Sequence, residues 1–180
     1  FGDTHLHTAL SPDAGLAGTK LGLDEAYRFA RGETVTSNSG QQAALKRPLD
    51  FLVVADHSEN LGLAQGLETS NPELLKSSLG QELHDLLKAG KGREAFYLLV
   101  QWMAKGDEAL VSNDAYMTSV WEMNNTVAER YNNPGTFTSL IGYEWTSQPS
   151  GGNLHRVVIF RDDKAMTDRI LPFSAFDSED

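Results

Sequence analysis

Two histidines near the amino terminus, His5 and His7, are separated by a single residue. Side chains alternate between the faces of an extended strand, so both imidazoles point to the same side if this stretch is a β-strand. Asp13 follows a short Ser11-Pro12 turn and adds carboxylate oxygens to the two imidazoles. This spacing is typical of a divalent metal site, although two surface histidines on a polar strand would give the same pattern.

Further metal-ligating residue types lie beside apolar runs later in the chain. His57 follows the run 49–55, Glu144 follows a second run, and His155 opens a third. Short apolar, β-branched runs are typical of strands buried on both faces of a parallel sheet. The carboxyl ends of such strands meet at one edge, where α/β folds place their chemistry. We therefore expect one shared site formed by His5, His7, Asp13, His57, Glu144 and His155.

Composition limits the classes of partner. The chain has 180 residues, 40% of them hydrophobic, and a formal net charge of −10. An acidic surface repels nucleic acid, so we expect none as a partner. No apolar run approaches the roughly 18 residues that a membrane span needs. The absence of cysteine excludes disulfides and thiolate ligands, and the nitrogen and oxygen donors that remain favour Mn²⁺, Zn²⁺ or Fe²⁺.

Apolar runs and amphipathic patterns alternate along the chain, which predicts an α/β fold. A helix is predicted at 24–31, because acidic residues begin it and a glycine follows it. A long helical segment is predicted at 72–133, with Asn71 as its cap. We assign no chemistry to this segment or to His84 within it. Strands are predicted at 1–8, 49–55, 136–143 and 155–160, and loops at 13–22 and 33–49.

The ordered set of ligand types supports a family resemblance. His5-Leu6-His7, Asp13, Ala55-Asp56-His57, Glu144 and His155 together resemble the polymerase and histidinol phosphatase (PHP) superfamily. Within it, the runs 1–5, 26–33 and 56–62 resemble the bacterial domain-of-unknown-function family 3604. The resemblance implies a bacterial protein of the cytoplasm or periplasm, and a distorted TIM-like (βα)7 barrel with a multinuclear metal site. A single domain over 1–180 would then hold the amino-terminal part of the barrel, with 72–133 as a helical insertion.

The resemblance also implies how the ligands divide among metals. His5, His7 and Glu144 would hold the first ion, and Glu144 would bridge to a second ion bound by His155. Asp13 and His57 would hold the third. The superfamily pattern continues with a His or Cys and an Asp-x-His pair, whereas no histidine follows His155 here. We therefore expect either that the chain is a piece of a longer protein or that it assembles with another component.

The function that these residues favour is metal-dependent hydrolysis of a small-molecule phosphate ester. A metal-bound hydroxide would attack phosphorus, with Glu144 and Arg156 as the catalytic residues. Asp3, Asp56 and Glu59 flank the ligands and are candidates for orienting the imidazoles. One alternative is an amidohydrolase-like enzyme, although that class typically has a carboxylated lysine at a strand end and no lysine here follows a strand-like run. The other alternative is a metal-binding or vestigial domain without activity.

Overall fold

The computed structural model describes residues 1–105, 113–148 and 152–177, which form a mixed α/β fold. In chain order, the strands are β1 (Gly2–Leu6), β2 (Val35–Thr36), β3 (Gln42–Ala43), β4 (Phe51–Val54), β5 (Thr138–Leu140), β6 (Gly142–Ser147) and β7 (Leu154–Ile159). The helices are α1 (Pro12–Leu16), α2 (Leu23–Ala30), α3 (Leu63–Glu68), α4 (Ser78–Lys88), α5 (Gly92–Met103), α6 (Asp114–Tyr131) and α7 (Lys164–Thr167). Residues 106–112 of the predicted helical segment lie outside the described residues.

A three-stranded parallel sheet in the order β1-β4-β5 lies at the centre of the fold. Its middle strand, β4, is the apolar run 49–55 of the sequence, and Leu52, Val53 and Val54 are all buried. Burial on both faces is what a central parallel strand requires, so this prediction is confirmed. Beyond β4, a single parallel bridge joins His57 to Glu144 and extends the pairing toward β6.

Two apolar clusters cover this sheet and the site beside it. The first packs α2 and α6 against the strands, with Trp121 buried against Tyr143 and Phe160. The second is formed by α1, α3, α4 and α5 around Leu63, Leu67 and other leucines. None of the helices in the described ranges combines the length and apolarity that a bilayer crossing needs.

The strand predicted at 136–143 is wrong in its extent. It is broken at Ile141 into β5, which pairs in parallel with β4, and β6, which pairs antiparallel with β7. The change of partner depends on long-range pairing, which the local apolar pattern does not reveal. Glu144 consequently lies inside a strand rather than beyond its end.

Local structure also differs from the prediction in the loops and at helix starts. The loop 13–22 begins with α1, because Pro12 occupies a first-turn position after the N-cap Ser11. The polar loop 33–49 contains the short β2–β3 hairpin. Residue Asn71 does not start a long helix: a 3₁₀ turn intervenes, and α4 begins after Ser77, whose hydroxyl accepts a hydrogen bond from Gly80 N–H. Helix α3 was not predicted.

The described residues form no closed barrel. The parallel sheet has three strands, and β6 and β7 form a separate antiparallel pair. The α/β class predicted from the alternation of patterns is confirmed at this level.

Candidate metal site

The site lies where β1 and β4 end and where β6 passes beside them. His5 lies within β1, and His7 follows its last residue, so both imidazoles project to one side of this edge strand. Leu6 pairs with Val54 of β4, which brings the residues after both strands together. His57 follows the end of β4 and therefore lies at the same edge as His7.

Glu144 is the residue on which the histidines converge. Its Oε2 lies 2.9 Å from His5 Nε2, 2.6 Å from His7 Nε2 and 3.5 Å from His57 Nε2. The other oxygen, Oε1, lies 2.8 Å from His155 Nδ1. The Glu144 side chain is only 3% exposed, so four imidazoles surround a carboxylate that is largely withdrawn from water.

Asp13 provides a second carboxylate on the other side of His7. Both of its oxygens lie 3.2 Å from His7 Nδ1, and Oδ2 lies 3.8 Å from His57 Nε2. Asp13 reaches this position because α1 starts directly after the strand-end loop. Ser11 fixes the junction, since its hydroxyl accepts a hydrogen bond from the His57 N–H at 3.1 Å.

His57 is held from behind by Glu59 and Thr146. Its Nδ1 lies 3.3 Å from Glu59 Oε2 and 3.2 Å from Thr146 Oγ1. Glu59 is itself buried and accepts hydrogen bonds from the backbone N–H groups of Thr146 and Ala175. A carboxylate fixed in this way sets the orientation of an imidazole, which leaves His57 Nε2 directed at the cluster.

The other two flanking acids contact backbone rather than imidazole. Asp56 is buried and accepts hydrogen bonds from the N–H and the hydroxyl of Thr8, which fixes the strand-end loop. Burial raises the pKa of Asp56 to about 6, although the Thr8 hydrogen bonds oppose this shift. Asp3 accepts a hydrogen bond from the His5 N–H at 2.9 Å.

Charge complementarity dominates the electrostatics of the cluster. Burial raises the pKa of Glu144, but the hydrogen bond from His5 and the neighbouring imidazoles outweigh it and leave the pKa lowered. The pKa of Asp13 is likewise well below its usual range, because hydrogen bonds from His7 and Ser11 overcome its burial. Burial lowers the pKa of His7, but the hydrogen bond to Asp13 and the nearby carboxylate charges outweigh burial and leave the pKa raised. Both carboxylates are therefore ionised at neutral pH and able to act as ligands.

The donor atoms are of the types that a divalent cation takes, and they lie close enough together that they could hold one. Three sets of side chains each place one ligand atom per residue within 4.8 Å of the others. Imidazole nitrogens and carboxylate oxygens are the ligands that Zn²⁺, Mn²⁺ and Fe²⁺ take in hydrolases. Glu144 belongs to two of the sets, as a bridging carboxylate would. The sets are His5, His7 and Glu144; His7, Asp13 and His57; and His57, Glu144 and His155.

All six residues that the sequence places in one site lie together in the structure. The reasoning from strand ends was only partly right, because Glu144 and His155 lie within paired strands. They share one face of that pair because Thr146 pairs with His155 and Glu144 is two residues earlier.

Arg156 lies outside the cluster. It pairs with Trp145 across β6 and β7, and its guanidinium carbon lies 4.8 Å from the centre of the Trp145 ring. Both side chains therefore project from the face opposite Glu144. Ser11 and Thr146, whose hydroxyls contact the cluster, were not predicted as site residues from the sequence. Their polar type beside the ligands was the one available signal.

The fold and the cluster define an α/β protein with a candidate metal site of histidines and carboxylates. The sequence profile of the family described as "Protein of unknown function (DUF3604)" matches residues 1–180, so the chain belongs to that family. This confirms the resemblance to family 3604. Comparison with curated proteins gives no match, and comparison with solved structures gives none either.

Proposed function

We propose that this protein is a metal-dependent hydrolase that cleaves phosphate esters. The observation that carries the proposal is the convergence of four imidazoles on both oxygens of Glu144, with Asp13 beside them. In such sites, two or three divalent ions polarise a phosphoryl oxygen and lower the pKa of bound water. We expect Mn²⁺, Zn²⁺ or Fe²⁺ as the resident ions.

The residues have distinct roles in this proposal. His5, His7 and Glu144 would hold one ion, and Glu144 and His155 would hold a second. Asp13 and His57 would hold a third, with His7 beside them. The Glu144 side chain is only 3% exposed, so water would screen its charge less than it screens a surface carboxylate.

Positioning residues behind the ligands limit their movement. Glu59 and Thr146 orient His57, while Ser11 anchors the backbone between the two strand ends. Rigid support of this kind keeps reacting groups in the geometry that displacement at phosphorus requires. The positioning residues therefore keep the ligand side chains close together and limit their movement.

Membership of the PHP superfamily is part of the same proposal. It is supported by the parallel order β1-β4-β5, with HxH at the end of the first strand and His57 beyond the next. The antiparallel β6–β7 pair departs from a regular barrel, so the barrel that we propose is a distorted one. Residues 72–133 would be its helical insertion.

Turnover of an aryl phosphate tests the proposal. We expect p-nitrophenyl phosphate to be hydrolysed when the purified chain is supplied with Mn²⁺, and hydrolysis to stop when a chelator is added. An active protein that ignores both the metal and the chelator would contradict the metal-dependent reaction. A protein that binds metal but hydrolyses no phosphate ester, either as this chain or as a longer natural form, would favour a non-enzymatic metal-binding domain.

A further inference from the structure

A cleft of about 730 Å³ opens beside the cluster. One wall carries metal-site residues, among them Asp13, His57 and His155. Another part of the lining is one face of α5. Its residues recur at helical spacing and are all apolar, namely Phe96, Leu99, Val100 and Met103, and Ala104 follows directly after the helix. A volume of this size accommodates a small molecule rather than a lone phosphate ion.

The position of α5 beside the site is fixed by close packing. Helix α5 begins at Gly92, where an added Cβ would lie 2.2 Å from the carbonyl oxygen of Leu16. Leu16 ends α1, the helix that carries Asp13 in its first turn. The helix that forms the apolar wall is therefore packed directly on the helix that supplies a ligand.

Part of the apolar face of α5 is exposed in the cleft and is not buried in the core. Leu99 is buried in the second apolar cluster, whereas Val100 is 43% exposed. Phe96 and Met103 are half-buried at the edge of that cluster. An exposed branched side chain between two half-buried ones gives an occupant apolar surface to cover.

The distribution of charge determines how an occupant lies in the cleft. The ionisable residues that line it, including Glu59, are on the metal-site wall. A charged group placed against α5 would lose its hydration without gaining a partner. With the proposed divalent ions bound, an anionic group would be held at the metal-site wall despite the carboxylates of Asp13 and Glu59, and an apolar end would lie along α5.

We propose that the substrate is a phosphate monoester whose alcohol part is apolar, with α5 as the wall that selects it. This inference rests on the proposed function, and it deepens it by naming the substrate class. The segment 72–133 supplies no ligand among its described residues, but it supplies specificity through Phe96, Val100 and Met103.

Binding of alkylphosphonates tests the inference without requiring turnover. We would titrate the Mn²⁺-loaded chain with methyl-, propyl- and hexylphosphonate in a calorimeter. We expect the Kd to fall about two- to fourfold for each added methylene, as burial of a hydrocarbon chain predicts. Val100→Asn should flatten this dependence on chain length. Tyr97→Asn is the matched control, because Tyr97 is on the same helix, is exposed and does not line the cleft.

The outcomes separate the two proposals. If all three phosphonates bind equally well and only with metal, the apolar-substrate inference is overturned while the proposed function stands. Equal flattening by Tyr97→Asn and Val100→Asn would also overturn it. If no phosphonate binds to the metal-loaded chain and no phosphate ester is hydrolysed, the proposed function fails and the inference falls with it.

Discussion

Replacement of Glu144 by glutamine is expected to abolish hydrolysis and to weaken metal binding by more than about a hundredfold. Loss of an outer partner of a ligand alone lowers metal affinity about 10- to 100-fold. Glu144 contacts four imidazoles directly and belongs to two of the three ligand sets, so its loss has a larger effect. The amide keeps the shape of the side chain but removes the charge that balances two cations. Steady-state kinetics at saturating Mn²⁺ and metal titration would measure both effects.

The matched control is Glu122→Gln, which makes the same chemical change on an exposed position of α6. We expect it to leave metal affinity and activity at the level of the unmodified protein. Circular dichroism of both variants would check that the fold is retained. Activity and metal affinity near the original level in Glu144→Gln would contradict the role of Glu144 as the shared ligand.

Replacement of Trp121 by alanine is expected to cost about 3–5 kcal/mol of unfolding free energy. The side chain is 1% exposed, and its ring packs against Tyr143 and Phe160 at centroid distances of 5.9 and 6.0 Å. Its Nε1 donates a hydrogen bond to the Thr167 carbonyl. The substitution leaves a cavity between α6, α7 and β6, and it leaves the Thr167 carbonyl oxygen without its donor. Strand β6 carries Glu144. Since domains unfold at 5–15 kcal/mol, this loss is large.

Urea denaturation would measure the loss at Trp121. Met123→Ala serves as the control, because Met123 is on the same helix but 38% exposed, and surface substitutions usually change stability by less than about 0.5 kcal/mol. A loss below about 1 kcal/mol of unfolding free energy for Trp121→Ala would contradict the role of α6 in supporting β6.

The local patterns of the sequence predicted the ligands well because each pattern is short-range. Alternation along an extended strand is sufficient to place His5 and His7 on one side, and a continuous apolar run is sufficient to bury β4. Their order along the chain then indicated that His57 would reach the same edge. These predictions needed no knowledge of distant pairing.

The predictions that failed depend on long-range pairing. Nothing in residues 136–147 shows that the strand changes partner at Ile141, so Glu144 was expected beyond a strand end. The register that pairs Arg156 with Trp145 turns that arginine away from Glu144, and register is set across two strands rather than within one. The spacing of the apolar residues shows that α5 has an apolar face. It does not show that this face lines the same cleft as the metal-site residues.

The metal content of the purified chain is the most direct test of the central claim. We expect elemental analysis to find at least two equivalents of Mn, Zn or Fe per chain after reconstitution and desalting. His84→Ala should retain this content, because His84 contacts Ser70 and Asp85 rather than the cluster. His57→Ala should reduce it, since His57 belongs to two of the ligand sets. A chain that retains no metal, or one in which His84→Ala loses as much as His57→Ala, would contradict the account.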